Sequence, residues 1–310
     1  MIHEYALEQE LVASWHDRIL FRYFIEQFGF GTARVVSRYP KKWRKLVWDA
    51  FEQTFGRTAD ETDKVRMAEL LKQLTAPEIR RPECIWDDAR DWLVNAEGEH
   101  ERKPFHAILA RANPHTNPAV ICAADVLAGT PEGWKTSRSL VISRTAATMS
   151  QCLAPLLRCA TRILLVDPHF RASRPKFRNP LAEFLRVVGP GPSTIAIELH
   201  AGHVADDAPP FHMFQRECEQ FLPGLVPKGQ NLLVRRWKNR SVGERLHNRY
   251  VLTDIGGVQF GVGLDEGDTG TTDDLTLLST DVYRRRLEDY SGPAYAFDLE
   301  GEFRIVGQLS

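Results

Sequence analysis

From residue 145 onward, apolar runs of strand length alternate with amphipathic runs of helix length, and this alternation constrains the fold more than any other feature. Residues 145–160 (TAATMSQCLAPLLRCA) read as a helix, and residues 162–170 (RILLVDPHF) as an apolar strand that ends in polar residues. Residues 179–189 open on Asn-Pro and close on Gly, the punctuation of a helix. Residues 193–202 (STIAIELHAG) form a second buried strand and residues 210–225 a second crossover helix. Strands separated by helices pair in parallel, because a parallel connection needs a dozen or more residues. Strand patterns follow at 231–238, 247–254 and 257–265, then a helix over 275–290. The expectation is an α/β domain over residues 145–310 that ends in a β-rich segment.

Residues 1–144 have a different texture and are expected to form a separate, mainly helical module. Residues 11–30, 41–55, 62–74 and 84–97 carry apolar residues at spacings of three and four, the period of a helix with one buried face. Between 103 and 144 the short apolar runs 104–110, 119–127 and 139–144 fit strands or short helices equally well. With 310 residues and 43% hydrophobic content, the chain has material for two packed cores.

Five cysteines, Cys84, Cys122, Cys152, Cys159 and Cys218, form no CxxC pair and read as reduced core thiols. No apolar run approaches the roughly 18 residues that suggest a membrane span. The first residues are acidic where a secretory signal is basic, so the expected location is cytoplasmic. The net charge is only -1, but the cations cluster. Arg34, Arg38, Lys41, Lys42, Arg44 and Lys45 occur in one stretch without an acid, most simply a solvated face. A second set, Lys228, Arg235, Arg236, Lys238, Arg240, Arg245 and Arg249, is interrupted only by Glu244.

The second set surrounds the segment that carries chemistry. Residues 247–254 have the form H-x-R-x4-D, with His247, Arg249 and Asp254 at the named positions. On a strand, positions two apart point to the same face, so His247 and Arg249 can address one phosphate together. This segment resembles the H-x-K-x4-D signature of the phospholipase-D superfamily, with arginine for lysine. The resemblance spans roughly residues 145–295 and includes the Asp-Pro-His-Phe at 167–170 and the Gly-rich strand at 256–263. It implies a mixed sheet flanked by helices, a histidine nucleophile that attacks phosphorus, and a cation that stabilises charge on the non-bridging oxygens. It also implies that no metal or other cofactor takes part, and that a second histidine acts as acid. Because the chain has one complete motif, that histidine is expected from a second copy in a homodimer. Asp254 carries over as a structural or orienting residue of the motif rather than a proton donor.

The chain departs from the family at two places. Arginine offers a planar fork in place of the compact ammonium of lysine. Gly261-Val262-Gly263-Leu264 stands where the family commonly has Gly-Ser-x-Asn, so the hydroxyl and the amide are missing. Asp265 and Glu266 follow, and either could hold the His247 ring through a carboxylate hydrogen bond.

The expected catalytic set is therefore His247, Arg249, Asp254 and Glu266. His169 and Arg171 after the first strand, His200 at the end of the second, Arg236, Lys238 and Asp265 are expected to contact substrate. Ligands of α/β folds gather at the carboxyl ends of parallel strands. His200, His203, His212 and Cys218 have the residue types of a zinc site, but their spacing crosses a loop, so no metal is expected. Trp237 reads first as a core residue, and Asp273-Asp274 as the N-cap of the last helix. The basic surroundings of the motif favour nucleic acid, with DNA the expected form, over lipid as substrate. Small members of the superfamily occur in bacterial defence systems, so further subunits of such a complex are conceivable partners. The rival expectation is a decayed site on a retained fold, serving as a nucleic-acid-binding or scaffold subunit.

Overall fold

A computed structural model describes residues 1–189, 195–204 and 208–309. The chain divides into two compact units, Met1–Ser137 and Arg138–Ser310. The boundary lies seven residues before the expected break between 144 and 145, because residues 139–143 form an edge strand of the second unit.

The first unit runs β1 (His3–Leu7), α1 (Gln9–Ala13), α2 (Arg18–Ile25), β2 (Arg34–Arg38), α3 (Trp43–Phe55), α4 (Glu61–Thr75), β3 (Ile79–Arg80), α5 (Trp92–Arg102), β4 (Ala107–Ala110), β5 (Val120–Cys122) and α6 (Ala123–Ala128). Its strands form a parallel sheet in the order β3-β2-β1-β4-β5. Helices do occupy much of the stretch read as helical, but they are wound on a sheet that the sequence reading missed. β3 has only two residues, and β1 is followed by α1 after a single residue, so its apolar positions merge with the helix pattern. Tyr5 and Leu7 of β1, Val36 of β2 and Leu109 of β4 pack with Trp15, Phe24, Trp43, Phe51 and Leu70 in one core. Trp43 keeps its polar edge satisfied by donating from Nε1 to the Leu7 carbonyl at 2.7 Å. Asp60 caps α4 by accepting from the Asp63 amide, a contact that stabilises a helix by about 1 kcal/mol.

The second unit runs β6 (Ser139–Ser143), α7 (Ala146–Cys159), β7 (Arg162–Val166), α8 (Pro175–Val188), β8 (Ala196–Gly202), α9 (Phe211–Phe221), β9 (Asn231–Lys238), β10 (Arg249–Thr253), β11 (Gly257–Phe260), β12 (Thr272–Leu277), α10 (Thr280–Ser291) and β13 (Asp298–Val306). The eight strands make one mixed sheet in the order β13-β9-β8-β7-β10-β11-β12-β6. β7, β8 and β9 are parallel, and the other neighbours are antiparallel. The α/β alternation expected after residue 145 is therefore present. Residues 193–194 of the expected second strand lie outside the described residues.

Two local expectations fail. Asp273 and Asp274 are in β12 rather than at a helix start, and the helix begins only at Thr280. Asp273 is 2% exposed and accepts hydrogen bonds from the Val262 and Gly263 amides, so it closes the turn after β11. His247 also precedes its strand by two residues, because β10 starts at Arg249. Among the described residues, no helix is long and apolar enough to cross a membrane.

Candidate functional site

The antiparallel pairing of β10 with β7 and β11 brings the start of β10 beside the ends of β7 and β11. The end of β6 joins the same edge through β12. Segments far apart in sequence thus converge on one cleft of about 460 Å³. Asp167, His169, Arg171 and Arg174 reach it from the β7–α8 connection, Lys176 and Phe177 from the first turn of α8, and Arg249 from β10. Val262, Gly263 and Asp265 reach it from the loop after β11, and Arg144 from the loop after β6.

Five cations face two carboxylates there. The Asp265 carboxylate is already engaged, by Arg144 Nη2 at 2.6 Å and Lys176 Nζ at 2.8 Å. Asp167 is 1% exposed and accepts from the His169 amide at 2.9 Å and the Leu264 amide at 3.0 Å. Burial pushes its carboxyl up to about 6, against those two hydrogen bonds and the nearby Arg249 charge. The Arg249 side chain has no hydrogen-bond or ion-pair partner among the described residues, and its Nε is buried without one. A buried donor left unpaired costs roughly 1–3 kcal/mol. Such a cost is tolerated where a ligand supplies the missing acceptor.

Burial lowers the His169 pKa first, and the charges of Arg249, His247 and Arg171 lower it further. Arg249, His247 and Arg171 thus all add positive potential at His169. His247 itself is exposed and sits outside the lining of the cleft, at its rim, with no side-chain partner among the described residues.

No family model matches this chain, and no curated protein matches it. Among solved structures, one with similarity is TrmBL2, described as an archaeal chromatin protein with a novel mode of DNA binding. It is 10% identical, with 91% of this chain and 97% of that one covered, at a TM-score of 0.25. So low a score carries no argument.

Of the residues singled out by sequence, His169, Arg171, Arg249 and Asp265 line the cleft and His247 stands beside it. The others are elsewhere. Asp254 is at the far end of β10, where its carboxylate accepts from the Thr161 amide and hydroxyl and from the Arg162 amide. Glu266 accepts from the Ala146 amide at the start of α7 and from Asn179, so it joins two helices and does not orient His247. The Asp265 carboxylate does not do so either.

His200 is buried in the core rather than at a ligand edge. Its Nδ1 accepts from Trp237 Nε1 at 3.0 Å, with the two rings nearly parallel, and its Nε2 faces Glu198. Arg236 is 0% exposed, lies over the Phe214 ring and donates to the Pro209 carbonyl at 2.8 Å. Lys238 pairs with Glu300 at 2.9 Å, and so does His203 at 3.0 Å. Among the described residues, no group of three His, Cys, Asp or Glu is placed to hold a metal ion.

Arg144, Arg174 and Lys176 were missed. They lie in loops and at a helix start, where no periodicity marks them, and only tertiary pairing of distant strands gathers them.

Proposed function

We propose that this chain is a phosphodiesterase of the phospholipase-D type that acts on nucleic acid. The observation that carries this reading is Arg249, an unpaired guanidinium with a buried Nε, opening into a cleft with four other cations beside two histidines. One imidazole nitrogen of His247 attacks phosphorus, the P–O bond to one nucleoside breaks, and the departing oxygen takes a proton from an acid. Water then attacks the phosphohistidine, giving a proton back to the deprotonated acid, and the P–N bond breaks to release the phosphomonoester and the free imidazole. Arg249 and its neighbouring cations hold the non-bridging oxygens through both steps. The resemblance assigns the acid to the same histidine of a second copy. His169 of the same chain is a second imidazole at the cleft, held neutral there by burial and by the neighbouring cations, and an arriving phosphate anion favours its protonation.

The rival reading, a nucleic-acid-binding subunit without turnover, is favoured by the loop at 261–264. The amides of Val262, Gly263 and Leu264 are committed to Asp273 and Asp167, so they offer nothing to a phosphate. The deciding experiment is cleavage of labelled single- and double-stranded DNA and RNA in EDTA by wild type, His247→Ala and His169→Ala. Cleavage by wild type and not by His247→Ala is expected. Loss in His169→Ala as well places the acid within one chain, whereas its retention moves the acid to a second copy. Binding without cleavage by any of the three, in folded protein, supports the rival.

A further inference from the structure

The acid-free basic stretch of the first unit is not spread over a flat face. It curls around a pocket of about 750 Å³ between α3 and α4, within the size range of small-ligand sites. Lys41, Lys42, Arg44 and Lys45 stand along its rim at the start of α3, where the helix dipole adds positive potential. Trp48, one turn further along α3, and Leu71 of α4 supply an aromatic and an aliphatic wall. Trp48 is half-buried, its ring tilted against Phe51 at 5.6 Å, which fixes it in place.

Two cations are already committed: Arg38 to Glu78 at 3.3 Å, and Lys45 to Asp49 at 2.6 Å. The side chains of Lys41, Lys42 and Arg44 have no hydrogen-bond or ion-pair partner among the described residues. Three exposed cations, of which Arg44 also acts on Glu78, beside an indole packed on Phe51 match the chemistry of a single nucleic-acid strand, with phosphates on the cations and an unstacked base on the ring. A double-stranded helix keeps its bases stacked away from such a ring, and a lipid surface gives the walled pocket no flat face to meet.

We propose that this pocket is a binding site for single-stranded nucleic acid, separate from the cleft of the second unit and independent of any reaction there. The test uses the full chain carrying Arg249→Ala, which disables the other cleft, and a fluorescent thymidine 20-mer followed by anisotropy across a salt series. Replacing Lys41, Lys42 and Arg44 together with Ala is expected to weaken binding at least 10-fold. It should also flatten the log–log salt dependence by about 2, from roughly 0.7 per cation on a single strand. Trp48→Ala is expected to weaken binding about 10-fold and Trp48→Phe to retain it, which separates loss of the ring from loss of fold. Affinity and salt slope unchanged in the triple variant overturn the proposal. Thymidine monophosphate binding as tightly as the 20-mer overturns the strand as the ligand.

Discussion

Two arginines, one in each unit, have opposite surroundings. Arg81 in the first unit is 2% exposed and fully engaged: it donates to both Glu4 oxygens at 2.7 and 2.9 Å, to Glu99 at 3.0 Å and to two backbone carbonyls, and lies over the Phe105 ring. Arg249 in the second unit has a buried Nε and no protein acceptor. A guanidinium whose donors are all used contributes to the fold and has nothing left for a ligand. One whose donors are unused costs stability and is available to an anion. Degree of satisfaction separates Arg81 from Arg249, whereas Arg236 lies between them, buried with one donor on the Pro209 carbonyl and with Nε and Nη2 lacking a hydrogen bond.

The largest effect that can break this contrast is on stability. Arg81→Ala takes both donors from Glu4 and leaves the buried Glu99 with Arg102 alone, and is expected to destabilise the first unit by about 3 kcal/mol, read from urea unfolding. Arg249→Ala removes a buried donor that has no acceptor and is expected not to destabilise, with a gain of up to about 1–3 kcal/mol. It should cut cleavage, or oligonucleotide affinity if there is no turnover, on the order of 100-fold. Equal destabilisation by the two substitutions would show that satisfaction is not the distinguishing property.

Glu198 extends the contrast into the second unit, where it pairs with Arg162 and Arg235 at 2.7 and 2.8 Å. Burial pushes its carboxyl up, but His200 and Arg162 outweigh burial and hold the pKa down at about 2. Its ionised form therefore contributes stability that is complete above the usual carboxylate pKa of about 4.3 and is lost as pH falls through about 2. Glu198→Gln is expected to cost about 2–3 kcal/mol at pH 7 and to flatten unfolding free energy between pH 4.5 and 2.

The smallest effect concerns Asp167, whose pKa is raised to about 6. Below that pH it loses the negative charge near Arg249, and His169 gains positive charge over the same direction of titration. Asp265 stays tied to Arg144 and Lys176. Anion binding in the cleft is expected to tighten a few-fold as pH falls from 7 to 5, measured by phosphate competition. In Asp167→Asn only the histidine part of that change should remain.

The two units also differ in how much of them the sequence reveals. The second announces itself through the alternation of apolar strands with helices and through Gly189 closing α8, although Pro180, read as the start of that helix, lies inside it and the helix begins at Pro175. In the first unit β3 has two residues, and β1, as long as β7 and β10, runs into α1 after a single residue. Within the cleft, Arg249 and His169 were readable because both belong to strand ends. His200 and Arg236 were misplaced because a strand pattern does not say which face a neighbouring helix will cover; α9, through Phe214, lies over Arg236.

Asp254 gives the H-x-R-x4-D spacing a mechanical meaning. The motif is a gauge block laid along β10: its last residue is clamped to the start of β7 through Thr161 and Arg162, and its first two named residues emerge at the opposite edge. The five residues of β10 set the distance between clamp and tip. One residue added or removed inside that length keeps the clamp but turns Arg249 to the other side of the sheet. The signature is therefore half chemistry and half dimension, and its aspartate serves as the datum from which the rest is measured.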